Sequence, residues 1–146
     1  MIIVVDTREQ NPWSFRKSEH IEGTVKNKLN VGDYSIQGYE SKIAIERKSA
    51  VDLFGTLGKG HKRFQRELER AEGMDYFAIL VENTLTQIRN KDFENSHYTR
   101  MKGFVIAQIC FTLKMKYGID VVFCNGRKDA AGYVREVFKA YMKLQK

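Results

Sequence analysis

Residues 31–52 read VGDYSIQGYESKIAIERKSAVD, and this stretch decides the fold. Short apolar segments at residues 34–37 and 42–48 flank a turn centred on Gly38, which predicts a β-hairpin. Ser49 follows the second segment and is a suitable N-cap for a helix over residues 49–57. The stretch therefore predicts a strand, a turn, a second strand and a helix in direct succession.

The flanking sequence continues this alternation of strands and helices. Three more apolar runs predict buried strands, at residues 2–6, 76–81 and 119–124. Three more segments carry apolar residues at helical spacing, at residues 61–72, 98–117 and 128–144. We therefore predict an α/β fold in one domain over residues 1–146, with a mixed central sheet flanked by helices on both faces.

The segments between these elements give weaker signals. Residues 7–23 and 84–96 are predicted to be polar loops, whereas residues 24–30 fit a helix or a strand equally well. Gly58 and Gly60 are expected to separate two helices. The helix over residues 98–117 is expected to pack through one stripe, with further apolar residues on a second face that covers the core or meets a partner chain. The main stripe is Met101, Val105, Gln108, Ile109, Thr112 and Leu113, and the second face is Ile106, Cys110, Phe111 and Met115.

The hairpin brings chemically useful side chains together. Strand side chains alternate between the two faces of a sheet, so Glu46 and Lys48 point the same way and Arg47 points the other way. Hairpin pairing places Asp33 beside Glu46. Two carboxylates and one ammonium at one point suit Mg²⁺ or Mn²⁺, which take oxygen ligands, and such an ion polarises a phosphodiester. This is the PD-(D/E)xK arrangement of many metal-dependent nucleases, although a solvent-exposed charged strand end gives the same bare pattern.

Composition and charge narrow the class of protein. The chain has 146 residues, of which 42% are hydrophobic and 29% charged, as in ordinary globular proteins. Its net charge of +7 favours a polyanionic partner such as nucleic acid. No apolar run is long enough for a membrane span or a signal peptide, so we expect an intracellular, cytoplasmic protein without a membrane partner. Cys110 and Cys124 are expected to be reduced core residues.

The sequence resembles the nuclease domain of the XPF-type structure-specific endonucleases. The signature of that family is GD, a variable hairpin, ERK, three residues and D, and the chain matches each fixed position. The matching residues are Val5 to Glu9, Val31 to Tyr34, Glu46 to Lys48 and Asp52. The resemblance implies a restriction-endonuclease-like core, a DNA substrate and a role in DNA repair or recombination. The segment from Pro12 to Phe15 is similar to the short bacterial and phage versions of this domain.

The resemblance also implies roles for individual residues. Asp33 and Glu46 correspond to metal ligands, Asp6 to a further acid that acts directly or through water, and the Arg47 backbone carbonyl to an additional ligand. Lys48 corresponds to the residue that orients water or stabilises charge, and the cofactor is Mg²⁺ or Mn²⁺. Arg8, Glu9 and Asp52 match positions that the family keeps near its site.

Three functions remain open from sequence. The first is a metal-dependent endonuclease that cuts DNA at branched, flap or fork junctions. The second is a non-catalytic DNA-binding or scaffold subunit, although the complete set of acids argues against it. The third is a homodimeric Holliday-junction resolvase. Longer family members carry a tandem helix-hairpin-helix module, which we do not expect in residues 1–146, and they form dimers or pair with a second subunit.

Several side chains have two interpretations. Lys59, Arg63, Arg66 and Arg70 are expected to form a stripe that contacts DNA phosphates, rather than a solvated face paired with Glu67 and Glu69. Trp13 and Phe15 either stack on an unpaired base or pin their loop to the core, and we favour packing. Glu82 reaches the metal site through water or simply ends its strand. We expect the three single histidines, His20, His61 and His97, to be surface residues.

Overall fold

The computed structural model describes residues 1–59 and 61–146. A six-stranded sheet with the order β2-β1-β3-β4-β5-β6 forms its centre. The strands are β1 (Ile2–Val5), β2 (Gly23–Lys26), β3 (Tyr34–Ile36), β4 (Ile43–Lys48), β5 (Tyr76–Val81) and β6 (Asp120–Phe123). Only β3 runs against its neighbours, because β1 pairs with β2, and β4 with β5 and then β6, in parallel. The predicted mixed sheet is confirmed.

Helices cover both faces of the sheet. The α-helices are α1 (Ala50–Leu57), α2 (His61–Ala71), α3 (Leu85–Asn90), α4 (Gly103–Tyr117) and α5 (Arg127–Leu144). One hydrophobic cluster contains residues of the four helices α1, α2, α3 and α4, packed against alternate residues of the central strands, such as Ile79. A second cluster joins α5, through Phe138, to the opposite face and to Trp13 and Phe15 of the N-terminal loop.

Two segments were predicted incorrectly at their boundaries. Residues 84–96 are not simply a polar loop, because they contain α3, which Thr84 and Gln87 cap reciprocally. The helix predicted from residue 98 begins at Gly103, and residues Ser96–Tyr98 form a separate 3₁₀ turn after Asn95 adopts a left-handed conformation. A Cβ atom at Gly103 would overlap the carbonyl oxygens of Ile88 and Arg89, so this glycine lets α4 start directly against the end of α3. The ambiguous residues 24–30 begin with the edge strand β2.

The face of α4 that meets the core also differs from the prediction. Ile106 and Cys110 are buried, whereas Gln108 and Thr112 of the expected stripe are exposed. The reason is that the strongly apolar sequence of α4 offers two possible stripes, and packing against α3 and β6 selects between them. The other apolar face, which includes Phe104, is exposed.

Other expectations can be compared directly with the structure. Trp13 and Phe15 are buried, which confirms the packing interpretation, and Cys110 and Cys124 are free and buried. His20 and His97 are exposed. The predicted break at Gly60 and the side chain of His61 lie outside the described residues. Among the helices described, none has the length and apolar character needed to cross a membrane.

The topology collects the carboxyl ends of the parallel strands at one edge. Because β3 is antiparallel, the residue before β3 lies at the same edge as the residues that end β1, β4 and β5. Ligand sites of open α/β sheets form at the carboxyl ends of strands. This edge is therefore where the functional side chains are to be sought.

Candidate active site

The structure brings the predicted acids together at the carboxyl edge of the sheet. Asp6 directly follows β1, Asp33 directly precedes β3, and Glu46 lies in the second half of β4. Backbone hydrogen bonds of 2.8 Å from Asp6 N to Asp33 O and from Asp33 N to Ile45 O fix their positions. Asp33 and Glu46 line one open pocket of about 310 Å³, together with Lys48. The hairpin thus places these side chains together, as the sequence predicted.

Gly32 explains why a glycine precedes Asp33. Its φ angle is +74°, and a Cβ atom there would lie 3.0 Å from both the Cβ of Ala44 and the carbonyl oxygen of Ile45. Glycine is the residue that adopts this conformation and this close approach without strain. It allows the chain to turn into β3 with the Asp33 carboxylate at the mouth of the pocket.

Asp33 has an unusual environment for an aspartate. Burial is the main reason why its pKa rises to about 6, and the carboxylates of Glu9 and Asp6 raise it further. One oxygen, Oδ2, accepts a hydrogen bond of 2.8 Å from the Arg47 backbone N–H, which partly opposes this rise. Its other oxygen accepts no hydrogen bond from the described residues. Asp33, which lines the pocket, therefore keeps one oxygen without a hydrogen bond from the described residues.

Glu46 also has an unusual environment for an acid. Its Oε2 atom is buried, and its partner among the described residues is the Lys48 ammonium, whose Nζ lies 3.1 Å away. Burial raises the pKa of Glu46, the Lys48 ammonium opposes that rise, and Glu67 and Asp33 reinforce it. An ionised carboxylate has acceptor capacity beyond one such contact. Glu46 can thus receive a cation in addition to Lys48.

Lys48 lies beside these acids and also contacts helix α1. Its ammonium lies 3.3 Å from the hydroxyl of Thr56 on α1, and only 12% of its side chain is exposed. Sequence reasoning missed Thr56, because no local pattern shows that α1 folds back over the end of β4. Thr56 fixes the position of the Lys48 ammonium.

Glu67 is a second residue that sequence reasoning missed. The sequence suggested it only as a surface partner of the α2 arginines, in the alternative that we did not favour, but it lines the same pocket and its Oε2 atom is buried without a hydrogen-bond partner among the described residues. Its negative charge contributes to the raised pKa of Glu46. The signal that could have found it is its position one turn after Phe64, at the boundary of the inward stripe of α2. Glu67 joins Glu9, Asp33 and Glu46 as the fourth acid among the described lining residues.

Asp6 lies beneath the pocket, with both oxygens occupied. Its Oδ1 accepts a hydrogen bond of 2.8 Å from Leu29 N, and its Oδ2 accepts one of 2.6 Å from Arg8 Nε. Burial alone would raise the pKa of Asp6, but the hydrogen bonds from Leu29 and Arg8 outweigh it and the pKa is lowered. The geometry makes Asp6 the anchor of the loop at residues 27–29 and of Arg8, since each of its oxygens accepts a hydrogen bond from one of these segments.

The side chain of Arg47 points away from the acids, as the strand alternation predicted. Its Nε lies 3.0 Å from Glu82 Oε1 and its Nη1 lies 3.3 Å from Glu9 Oε2. Its guanidinium also lies over the Trp13 ring, at 5.4 Å from the centroid. Tyr34 completes this cluster, with its hydroxyl 2.7 Å from Glu9 Oε2. Arg47 thus pins the N-terminal loop, while its backbone N–H binds Asp33.

Glu82 has neither of the two roles that the sequence suggested. Its Oε1 atom accepts hydrogen bonds from Trp13 Nε1 at 2.5 Å and from Arg47 Nε at 3.0 Å. It is therefore a structural anion that holds the loop against the end of β5, rather than an outer acid of the pocket or a solvated strand end.

Two sets of predicted residues lie around the pocket. Asp52 is exposed in the first turn of α1, beyond the Ser49 cap, and does not line the pocket. Arg63, Arg66 and Arg70 are exposed on α2, and no described carboxylate lies within 4 Å of them, so the alternative of a face paired with Glu67 and Glu69 is not observed. Lys59 lies before α2 begins, so it does not continue their helical row. Arg70 reaches the pocket itself.

Comparison with known proteins identifies the family. The family model described as ERCC4 domain matches residues 5–137. The chain belongs to the ERCC4 domain family. The solved structure "XPF from Aeropyrum pernix" is similar, with a TM-score of 0.69 and 19% sequence identity over 97% of this chain and 65% of that chain. A search of curated proteins found no match.

This likeness confirms two expectations from the sequence. The ERCC4 domain has the fold of the XPF nuclease domain, a restriction-endonuclease-like α/β core with a mixed sheet between helices. Proteins of the ERCC4 family are generally nucleases, which supports the expectation that this chain is a DNA endonuclease. Some members are non-catalytic, so the chemistry of this chain has to be argued from its own residues.

The donor set of this ERCC4 domain suits a hard divalent cation. It offers the carboxylate oxygens of Asp33 and Glu46, with no sulfur or imidazole ligand among the described pocket residues. The described residues contain no group of three or more acids, histidines or cysteines arranged around one point. Mg²⁺ typically uses only one or two carboxylates and keeps several waters, so the donors present fit it.

Proposed function

We propose that residues 1–146 form a single nuclease domain that hydrolyses phosphodiester bonds of branched DNA, at flap or fork junctions, with Mg²⁺ or Mn²⁺ as cofactor. One observation carries the proposal: the carboxyl groups of Asp33 and Glu46 line one open pocket with the Lys48 ammonium, which lies 3.1 Å from Glu46 Oε2. Burial raises the pKa of both carboxyl groups, and a cation bound beside them would favour their charged forms.

Each pocket residue has a role in this proposal. Asp33 and Glu46 hold the cation, and the Arg47 carbonyl adds a ligand. The cation supplies Lewis acidity at the phosphoryl oxygen. The Lys48 ammonium, fixed by Thr56, stabilises the negative charge that develops on the phosphate and orients the attacking water.

The remaining residues position these groups and the substrate. Asp6 acts indirectly, since it anchors the loop at residues 27–29 and Arg8. Glu9 acts through Arg47, and Asp52 contributes to the start of α1. The four basic residues that we propose contact DNA phosphates are Lys59, Arg63, Arg66 and Arg70.

Mutation of the pocket tests the chemistry. Glu46→Gln and Lys48→Ala are expected to abolish cleavage of a labelled panel of flap, fork, splayed-arm and four-way DNA in MgCl₂, whereas DNA affinity in EDTA changes little. Glu94→Gln, at an exposed glutamate in the loop after α3, is the matched control and should cut at the wild-type rate. Cleavage by either pocket variant at the wild-type rate would contradict the assignment.

The same assay separates the alternatives. A non-catalytic scaffold subunit binds the panel but cuts none of it, with or without metal. A Holliday-junction resolvase cuts only the four-way DNA, and it leaves paired symmetric nicks. We favour flap and fork cleavage because the acids and Lys48 are complete and the α2 arginines offer a second contact surface beside the pocket.

We also propose that the domain forms a homodimer through the exposed face of α4. Phe104, Phe111 and Met115 are 60%, 44% and 83% exposed, and they lie along one side of the helix. An unpartnered apolar stripe of this kind is typical of an interface. Light scattering should give twice the mass of one chain, and Phe104→Ser with Met115→Ser should reduce it to one. Leu144→Ser, at an 82% exposed leucine of α5, serves as control.

A further inference from the structure

A groove of about 700 Å³ lies between the N-terminal loop and α5, and it shares no lining residue with the metal-site pocket. Buried apolar residues of both segments, Trp13, Ile21 and Ala131, form its base. It lies on the face of the sheet that α5 covers, opposite to α2 and its arginines. None of the residues that we propose to hold the cation, act in cleavage or contact DNA lines this groove.

The walls of the groove are strongly basic. Arg127, Ala131, Arg135 and Lys139 recur at intervals of four residues, so they form one row along α5. Arg16 faces this row from the loop. The complete set of charged lining residues is Arg16, Arg127, Lys128, Arg135, Lys139 and a single acid, Glu136.

Most of these cations have no anionic partner. Arg127 lies 3.9 Å from Glu82, but no described carboxylate lies within 4 Å of Arg16, Lys128, Arg135 or Lys139. Like charges gathered in a concave surface repel one another and attract a polyanion. Trp13 is buried, so the exposed lining of the groove consists mainly of these cations, and among its described lining residues only His20 presents an exposed ring. Its chemistry therefore suits a phosphate backbone rather than bases.

The groove adjoins the pocket through one backbone atom. The carbonyl oxygen of Asn11 accepts a hydrogen bond of 2.6 Å from Arg47 and one of 3.1 Å from Arg127. Arg47 lines the metal-site pocket, whereas Arg127 lines the groove. The segment at residues 11–12 therefore links the Arg47 side chain to Arg127 at the near end of the basic row on α5.

We propose that this groove binds the sugar-phosphate backbone of a DNA arm that extends from the cleavage site. The inference rests on the proposed nuclease function, to which it adds a second anchoring surface on the opposite face of the sheet from α2. Backbone contacts of this kind position a substrate without reading its sequence. Two contact surfaces on either side of the pocket are what a substrate with two diverging arms requires.

Metal-free binding tests the groove separately from cleavage. Fluorescence anisotropy in EDTA measures the affinity for labelled single-stranded, duplex and forked DNA over a range of salt concentrations. Arg135→Gln with Lys139→Gln is expected to weaken binding on the order of tenfold at low salt. The slope of log affinity against log salt should fall by about 1.8 if the arm is duplex and by about 1.4 if it is single-stranded.

A matched double variant provides the control. Lys42→Gln with Lys116→Gln removes the same charge from two exposed lysines outside the groove, and it should keep the wild-type slope. Arg16→Gln changes the opposite wall and is expected to reduce the slope by about 0.7–0.9. If the groove variants bind every DNA as the control does, the groove proposal is overturned.

The two proposals fail in different ways. Absence of metal-dependent cleavage by the wild-type chain would overturn the nuclease function. If the groove variants leave DNA affinity and its salt dependence unchanged while the wild-type chain cleaves DNA, only the inference about the arm would be overturned. Competition by polyglutamate with an unchanged DNA slope would assign the groove to an acidic protein instead.

Discussion

Replacing Asp33 by asparagine is expected to stabilise the metal-free protein at alkaline pH. Burial and neighbouring acids raise the pKa of Asp33 from 3.8 to about 6. The unfolded chain releases the same proton near pH 4. The folded state therefore binds the proton more tightly, and the free energy of unfolding falls as the pH rises from about 4 to about 6.

The size of this effect follows from the shift. Each pKa unit corresponds to about 1.4 kcal/mol, so the ionised Asp33 carboxylate destabilises the metal-free fold by about 2–3 kcal/mol above pH 7. Asparagine has the same shape, and its carbonyl oxygen still accepts the hydrogen bond from Arg47 N, but it carries no charge. The variant should therefore gain about 2–3 kcal/mol over the wild type at pH 8, relative to the difference between the two at pH 4.

Urea denaturation in EDTA at pH 4, 6 and 8 measures this difference. Asp92→Asn, at an exposed aspartate after α3, is the control and should follow the wild type at every pH. Addition of MgCl₂ at pH 8 should raise the stability of the wild type and not that of the Asp33 variant, because a cation that binds only the folded state stabilises it. A stability difference between Asp33→Asn and wild type that stays the same from pH 4 to pH 8 without metal would refute the reasoning.

Four other predictions follow from single contacts. Gly32→Ala should lower the free energy of unfolding by about 2 kcal/mol or more, measured in urea, because the residue has a positive φ and no room for a Cβ; Gly38→Ala tests φ alone, since no atom crowds that position. Thr56→Val should lower kcat while KM and DNA affinity change little, because Lys48 loses its hydroxyl partner, and Thr56→Ser should restore the rate. Glu82→Gln should destabilise the fold by about 1–3 kcal/mol and expose Trp13, seen as a red-shifted fluorescence maximum; an unshifted spectrum would contradict its role in holding the loop. Cys110 should resist a thiol reagent in the folded protein, because burial raises its pKa to about 12, and prompt reaction without urea would contradict its burial.

The sequence predicted the parts of the site that depend on local pairing. Asp33, Glu46 and Lys48 belong to one hairpin, so their alternation and the turn suffice to place them together. The strand over residues 76–81 was equally clear, because its apolar run is continuous. These features need only neighbours along the chain or across one strand pair.

The missed features depend on packing between distant segments. Glu67 and Thr56 reach the pocket because α1 and α2 fold over β4, which no periodicity reports. The role of Asp6 required knowing that Leu29 N and Arg8 lie against its carboxylate. The start of α4 depends on Gly103 meeting the end of α3, and a glycine inside an apolar run does not reveal that contact.

Arg47 makes two separate sets of contacts. Its backbone N–H binds Asp33, and its guanidinium binds Glu9 and Glu82. Its backbone contact tolerates most side chains, whereas its side-chain contact depends on two acids from elsewhere in the chain. Substitutions at position 47 among natural variants should therefore accompany changes at positions 9 and 82 rather than at position 33. The residue at position 47 is thus expected to covary with the N-terminal loop. Glu46 and Lys48 are expected to covary with the residues of the proposed metal site.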